Sequence, residues 1–289
     1  MARGVPVVDI SPLVGDLSGR DAAGVIARLD EACAQTGFFV CVGHGSEGDV
    51  ATMLSAARRL FALDPEVKAG LAMAERCGYV DDGAKELFDI ALDRDASAPN
   101  RWPPLDGFRP LVGRYQAQVL GVAETLLAAL ALALGTERDF FAVRMRHPES
   151  YLRLLHYPPQ PAGEVTTRAH TDYGALTLLA TDGVEGLQVH PIGGPWVDVD
   201  APAGSFVVNL GDMLARWTND HYVSTPHQVV SRATGDRYSV PFFVNPDADT
   251  VVECIASCAT AELPARYEPV TATQFLQGRI DGTIAVATP

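Results

Sequence analysis

Positive charge is scarce in this chain: 22 Lys and Arg stand against 36 Asp and Glu, a formal net charge of -14. Binding along a phosphate backbone needs clustered Lys and Arg, so a nucleic-acid partner is not expected. Cysteine is scarce too, with five residues (Cys33, Cys41, Cys77, Cys254 and Cys258) and no C-x-x-C spacing. An odd count in a chain of 289 residues argues against a disulfide framework and against a zinc knuckle. Long apolar runs are also missing. The N-terminal "MARGVPVVDISPLVG" has no core for a signal peptide. The run "LGVAETLLAALALALG" is interrupted by Glu124 and falls short of a membrane span. No internal repeat, low-complexity tract or convincing linker divides the sequence. The expectation is one domain over residues 1–289 in a reducing cytoplasm, with a small-molecule substrate and no nucleic-acid or membrane partner. Oligomeric state stays open.

What is present is enough apolar material, 47% of the residues, to fill a sizeable core. "VPVVDI" reads as a short strand. In "DAAGVIARLDEACAQTG", Val25, Leu29, Ala32 and Cys33 recur at helical spacing, and Gly37 is a plausible stop. "FFVCVGHG" reads as a buried strand, and a second helix is expected over 49–63. Residues 64–107 show turn signals and no sustained period, so they read as irregular, a segment that shapes a substrate site together with the C-terminal tail. Val112, Tyr115, Val119, Val122, Leu126, Leu130 and Leu134 mark one long helix over 108–135. Beyond it the pattern changes to short strand-like runs: "YLRLLHY", "ALTLLA", "GLQVH", "SFVVNLG", "HQVVS", "RYSVPFFV" and "VVECI". A mainly helical part over 1–135 followed by short strands over 150–260 predicts an α+β fold with a jelly-roll core flanked by helices.

Chemistry concentrates in the strand-rich half. In "RAHTDYGALTLL", His170 and Asp172 are two apart, which on one strand places both on the same face. His227, in "STPHQVV", is a candidate third partner that begins another strand. Two imidazoles and a carboxylate form the facial triad of non-haem Fe(II) sites, leaving adjacent positions for a cosubstrate and dioxygen. By formal counting such a centre carries a charge of about +1, which attracts a dianionic keto acid. Ten residues after His227 stands Arg237, with Ser239 two further on. A guanidinium fork and a hydroxyl on one strand face suit a carboxylate, and Tyr157 in "LLHYPP" offers another hydroxyl.

With these stretches in order, together with "VPVVDI", "GFFVCVGHG", "W-V-D-V" around Trp196 and "VVNLGDMLARWTND", the chain resembles the isopenicillin N synthase-like branch of the Fe(II)/2-oxoglutarate-dependent oxygenases. The matching stretches run from about residue 5 to residue 245. The resemblance implies a distorted double-stranded β-helix, with His170, Asp172 and His227 as iron ligands. It implies Arg237, Ser239 and Tyr157 around the distal carboxylate of 2-oxoglutarate. It further implies a reaction that splits dioxygen, releases succinate and CO2, and hydroxylates, desaturates or cyclises a small, specialised metabolite. An oxidase of the isopenicillin N synthase type, holding a substrate carboxylate and using no keto acid, is the alternative; a jelly-roll binding protein without catalysis is a third reading.

Two positions depart from common members: Gln228 follows the distal histidine where many have Arg, and Leu155 stands where many plant members have Asn. Tyr151, Arg153 and Phe243 lie near the site in sequence and are candidates to line the substrate pocket. Asn209 and Trp217 read as supports of the fold. His221, in "TNDHY", is the one rival to His227, and Cys254 with Cys258 read as ordinary thiols.

Overall fold

The structure is a computed structural model that describes residues 4–15, 17–74, 76–92, 100–232 and 235–284. In chain order the strands of the two main sheets are β1 (Val7–Asp9), β2 (Phe38–Val42), β3 (Gly78–Asp81), β4 (Glu86–Ala91), β5 (Tyr151–Tyr157), β6 (Val165–His170), β7 (Leu176–Thr181), β8 (Leu187–Val189), β9 (Val197–Asp198), β10 (Phe206–Leu210), β11 (His227–Val230) and β12 (Arg237–Val244). The helices are α1 (Arg20–Gln35), α2 (Glu47–Phe61), α3 (Pro65–Gly70), α4 (Phe108–Ala133), α5 (Asp212–Trp217) and α6 (Ala272–Ile280). Eight strands form the larger sheet in the order β1-β2-β10-β7-β12-β5-β4-β3, and four form the smaller one, β6-β11-β8-β9. Two further short strands, β13 (Val251–Val252) and β14 (Val270–Thr271), pair with each other.

Strand alternation sends each face of the larger sheet to a different neighbour. Leu152, Leu154, Leu178, Val208, Val240 and Phe242 face the helices and are fully buried with Leu29, Met53, Val119 and Leu126. Phe38, Leu155, Tyr157 and Val207 face the other way and meet Leu187, Val189 and Val229 of the smaller sheet. This second face is the interior of the jelly roll. Four strands of the larger sheet come from the first 135 residues, so the helical part and the strand-rich part share one sheet.

α1 buries Val25, Leu29, Ala32 and Cys33, the spacing read from its sequence. α4 runs 26 residues and would pass for a membrane span by length and composition. It lies instead in the core, against α1, α2, β7 and β12. α6 starts at a capping box: the Thr271 hydroxyl accepts from the Gln274 N–H, and the Gln274 side chain accepts from the Thr271 N–H.

Residues 64–107 correct the expectation of irregular chain. They contain α3 and the β3–β4 hairpin, and β4 pairs with β5 along its length. The signal was the Asp-Asp-Gly-Ala turn, where Asp82 accepts from the N–H groups of Ala84 and Lys85 and Gly83 takes φ 83°. Alternation along β4 was hidden because Asp89, a carboxylate, occupies an inward position between Leu87 and Ala91. Residues 93–99 of this segment, and 285–289 of the tail expected to shape the site, lie outside the described residues.

Candidate metal and cosubstrate site

The expectation that one strand carries both His170 and Asp172 is not met. β6 ends at His170, and Asp172 lies in the loop that carries the chain from the smaller sheet to β7 of the larger. His170 and Asp172 converge because the chain changes sheets between them, and a strand face plays no part. His227 opens β11 and sits directly across from His170 in the ladder, with ring centroids 4.3 Å apart. His170 Nε2 is 3.8 Å and His227 Nε2 3.7 Å from the same oxygen, Asp172 Oδ1. The three ligand atoms lie within 4.8 Å of one another, the one such group among the described residues. Side chains this close can share one ion at bond lengths of roughly 2.0–2.2 Å.

Neighbouring groups set each side chain for that task. His170 Nδ1–H donates to the Arg168 carbonyl at 2.8 Å and His227 Nδ1–H to the Thr225 carbonyl at 3.3 Å. Both Nε2 atoms therefore keep their lone pairs toward Asp172. Burial also pushes the His227 imidazolium pKa down, which favours the neutral, ligating form. Phe38 packs edge-on to the His227 ring at 5.4 Å. Asp172 Oδ2 accepts from Thr177 Oγ1 at 2.6 Å and from Asn209 Nδ2 at 2.7 Å, leaving Oδ1 toward the histidines. Burial alone raises this carboxyl's pKa, but the His227 ring, Asn209 and Thr177 outweigh it and hold the group below the ordinary carboxylate value. Asn209, read from the sequence as a support of the fold, is thus a direct partner of the candidate ligand. Removing such an outer partner typically weakens metal affinity 10–100-fold. Asn209→Ala is expected to show a loss of about that size in Co(II) or Mn(II) titrations; unchanged affinity would contradict the role.

The ligand loop has its own anchor, which the sequence did not reveal. The Asp212 N–H donates to the Asp172 carbonyl at 2.8 Å, while its carboxylate accepts from Thr171 Oγ1 at 3.0 Å and from Arg279 Nε at 2.9 Å. Arg279 belongs to α6 and lies over the Tyr173 ring at 4.9 Å. Gly211 is required here, since a β-carbon would come 2.1 Å from the Gly174 carbonyl oxygen. Breaking a buried pair by removing one partner costs about 3–5 kcal/mol. Arg279→Met is therefore expected to lower the denaturant midpoint clearly, and an unchanged midpoint would show that the pair is not holding the loop.

Interior rows of the larger sheet connect this centre to the remaining candidates. One row reads Asn209, Thr177, Phe243, Tyr151 across β10, β7, β12 and β5. Two residues along lies Arg153, opposite Asp89 of β4. Ser239 opposite Leu155, then Arg237 opposite Tyr157, complete the face. Arg237 is 5% exposed and Ser239 1%. Among the described residues, the partners of the Arg237 guanidinium are uncharged: Ser239 Oγ at 3.4 Å, the Val184 carbonyl at 3.3 Å and the Tyr157 ring at 5.0 Å. No carboxylate pairs with it among the described residues. A buried cation without an anion is costly, and a bound carboxylate would compensate it. The Tyr157 hydroxyl is 3.3 Å from Thr167 Oγ1.

Tyr151 and Phe243 stack at 4.6 Å, and Arg153 lies 5.8 and 5.6 Å from their centroids. Of the two departures, Gln228 donates to Gln188 Oε1 at 2.9 Å and Leu155 packs in the interior. His221 is elsewhere, 3.5 Å from Asp30, and none of the five cysteines is in a disulfide.

The family model for the 2OG-Fe(II) oxygenase superfamily matches residues 148–246, and that for the non-haem dioxygenase in morphine synthesis N-terminal region matches 5–105. The chain is 33% identical to the 2-oxoglutarate-Fe(II) type oxidoreductase hxnY of Emericella nidulans, covering 94% of this chain and 88% of that one. The chain belongs to the 2OG-Fe(II) oxygenase superfamily. Homoarginine-6-hydroxylase 2-ODD-C23.1 of Arabidopsis thaliana is 32% identical, with 89% of each chain covered. A full-length Neurospora crassa protein, solved in complex with alpha-KG and thymine, superposes with a TM-score of 0.89 at 26% identity over 97% of both chains. This oxygenase is accordingly an Fe(II)- and 2-oxoglutarate-dependent dioxygenase with a jelly-roll fold.

Proposed function

We propose that this dioxygenase couples oxidative decarboxylation of 2-oxoglutarate to hydroxylation, desaturation or cyclisation of a small, specialised metabolite. The observation that carries the reading is the convergence of the His170, Asp172 and His227 ligand atoms within 4.8 Å of one another, together with Arg237 on the interior face of the larger sheet, buried and without an acidic partner among the described residues. His170, Asp172 and His227 hold the iron, which when bound supplies the dioxygen chemistry. Arg237 and Ser239 take the distal carboxylate of 2-oxoglutarate, with Tyr157 flanking the guanidinium. Tyr151, Arg153 and Phe243 line the substrate side. His170 is 42% exposed on its side chain against 11% for His227, which marks the approach from solvent. A relative named for homoarginine hydroxylation and a neighbour solved with thymine support a small-molecule substrate. We also place the protein in a reducing cytoplasm, which cysteines without disulfides suit.

The test is a screen of candidate metabolites with Fe(II), 2-oxoglutarate and oxygen, scored by succinate formed per product. Stoichiometric succinate supports the reading. Oxygen uptake that proceeds with substrate and without 2-oxoglutarate would instead favour the keto-acid-independent oxidase.

A further inference from the structure

Between the aromatic row and the cosubstrate row of the interior face sits a charged pair that neither the metal nor the cosubstrate uses. Arg153 Nε donates to Asp89 Oδ1 at 2.6 Å and Nη2 to Asp89 Oδ2 at 2.7 Å, a bidentate pair across the β4–β5 ladder. Asp89 is 5% exposed. Taking two charges out of water is expensive, and apolar residues of similar size often serve stability as well or better. A buried pair at such a position, one pleat from Phe243 and Tyr151 and one from Ser239, points to recognition.

We propose that Asp89 is a specificity residue: by neutralising Arg153 it makes the substrate wall uncharged, so the site selects a neutral, planar, polar molecule over a carboxylate or an ammonium. The inference rests on the site reading given above. The third guanidinium nitrogen, Nη1, has no hydrogen-bond partner among the described residues, and neither has the Tyr151 hydroxyl. Burial pushes the Tyr151 hydroxyl up to about 12, so it stays protonated and can donate or accept. An amide or ring carbonyl meets both groups, while the stacked Tyr151 and Phe243 rings offer a flat apolar surface. The loaded centre reinforces this selection. By formal counting the charges of Fe(II), Asp172, dianionic 2-oxoglutarate and Arg237 cancel, so this set of groups has no net charge to draw an ionic substrate.

The test uses three probes sharing one ring and differing in charge: benzamide, benzoate and benzylammonium. Each is titrated calorimetrically into the anaerobic Fe(II)–2-oxoglutarate complex of the full chain. Benzamide is expected to bind at least tenfold more tightly than either ion. Asp89→Asn, which frees the guanidinium charge, is expected to shift the preference toward benzoate by tenfold or more. Arg153→Met is expected to shift it toward benzylammonium. Benzoate binding the unaltered protein as tightly as benzamide, or no benzamide binding at millimolar concentration, overturns the proposal whether or not the variants fold. Failure of the underlying site reading would look different, because the protein would then take up no 2-oxoglutarate before any probe is added.

Discussion

Replacing Asp172 with alanine is expected to abolish succinate formation and to lower Fe(II) affinity by more than the roughly 10–100-fold typical of outer partners. Three effects add. The one negatively charged ligand of the triad disappears, so the remaining pair of imidazoles holds a dication with no anionic neighbour. Asn209 Nδ2 and Thr177 Oγ1 lose their shared acceptor in a buried setting. The loop still hangs from Asp212 through its backbone, so the fold survives and the defect is chemical. Metal content after anaerobic reconstitution and succinate release are the two readouts. A variant that retains full iron and turnover would remove Asp172 from the ligand set and leave His170 and His227 without a third partner.

Removal of the Arg237 charge carries the second large effect, and its sign differs between two measurements. Truncating one partner of a buried, hydrogen-bonded charge pair costs about 2–5 kcal/mol, roughly thirtyfold to several thousandfold in affinity. Arg237→Met is expected to raise the dissociation constant for 2-oxoglutarate by that range. The protein without cosubstrate is expected to melt at the same temperature or higher, because a buried guanidinium lacking an anion has been taken away. A residue that only held the strand in place would give the opposite pattern: lower melting temperature and little change in 2-oxoglutarate affinity. Calorimetric titration beside a thermal melt separates the two, and such a divergence would mark Arg237 as a binding group held at the expense of stability.

Much of this site was legible because its chemistry is written in short, spaced motifs. His227 opening a strand, and Arg237 with Ser239 on alternate positions of another, follow from strand period alone and stand so in β11 and β12. The long helix and the α1 stripe were equally plain. Period misled where the chain turns. "RAHTDYGALTLL" reads as one apolar strand, yet it is the end of β6, a crossing loop and the start of β7, and Gly174 and Gly211 permit the close approach that the crossing needs. β4 was missed because its inward Asp89 breaks the hydrophobic alternation; the partner that makes the carboxylate tolerable, Arg153, is distant in sequence. The same reason hid Asn209 and the Asp212–Arg279 anchor. Pairwise partners brought together by tertiary structure leave no periodic trace, and only motifs local to one element can be read before the fold is known.

The proposed ferrous centre of His170, Asp172 and His227, with open positions facing an acid anchored by Arg237, underlies the expected metal and cosubstrate results above. The most direct measurement is the visible absorption spectrum of anaerobic protein carrying one equivalent of Fe(II), titrated with 2-oxoglutarate. A charge-transfer band that grows to saturation at one equivalent, and is missing in Asp172→Ala, is the predicted result. A spectrum that stays flat, with iron demonstrably bound, would contradict it.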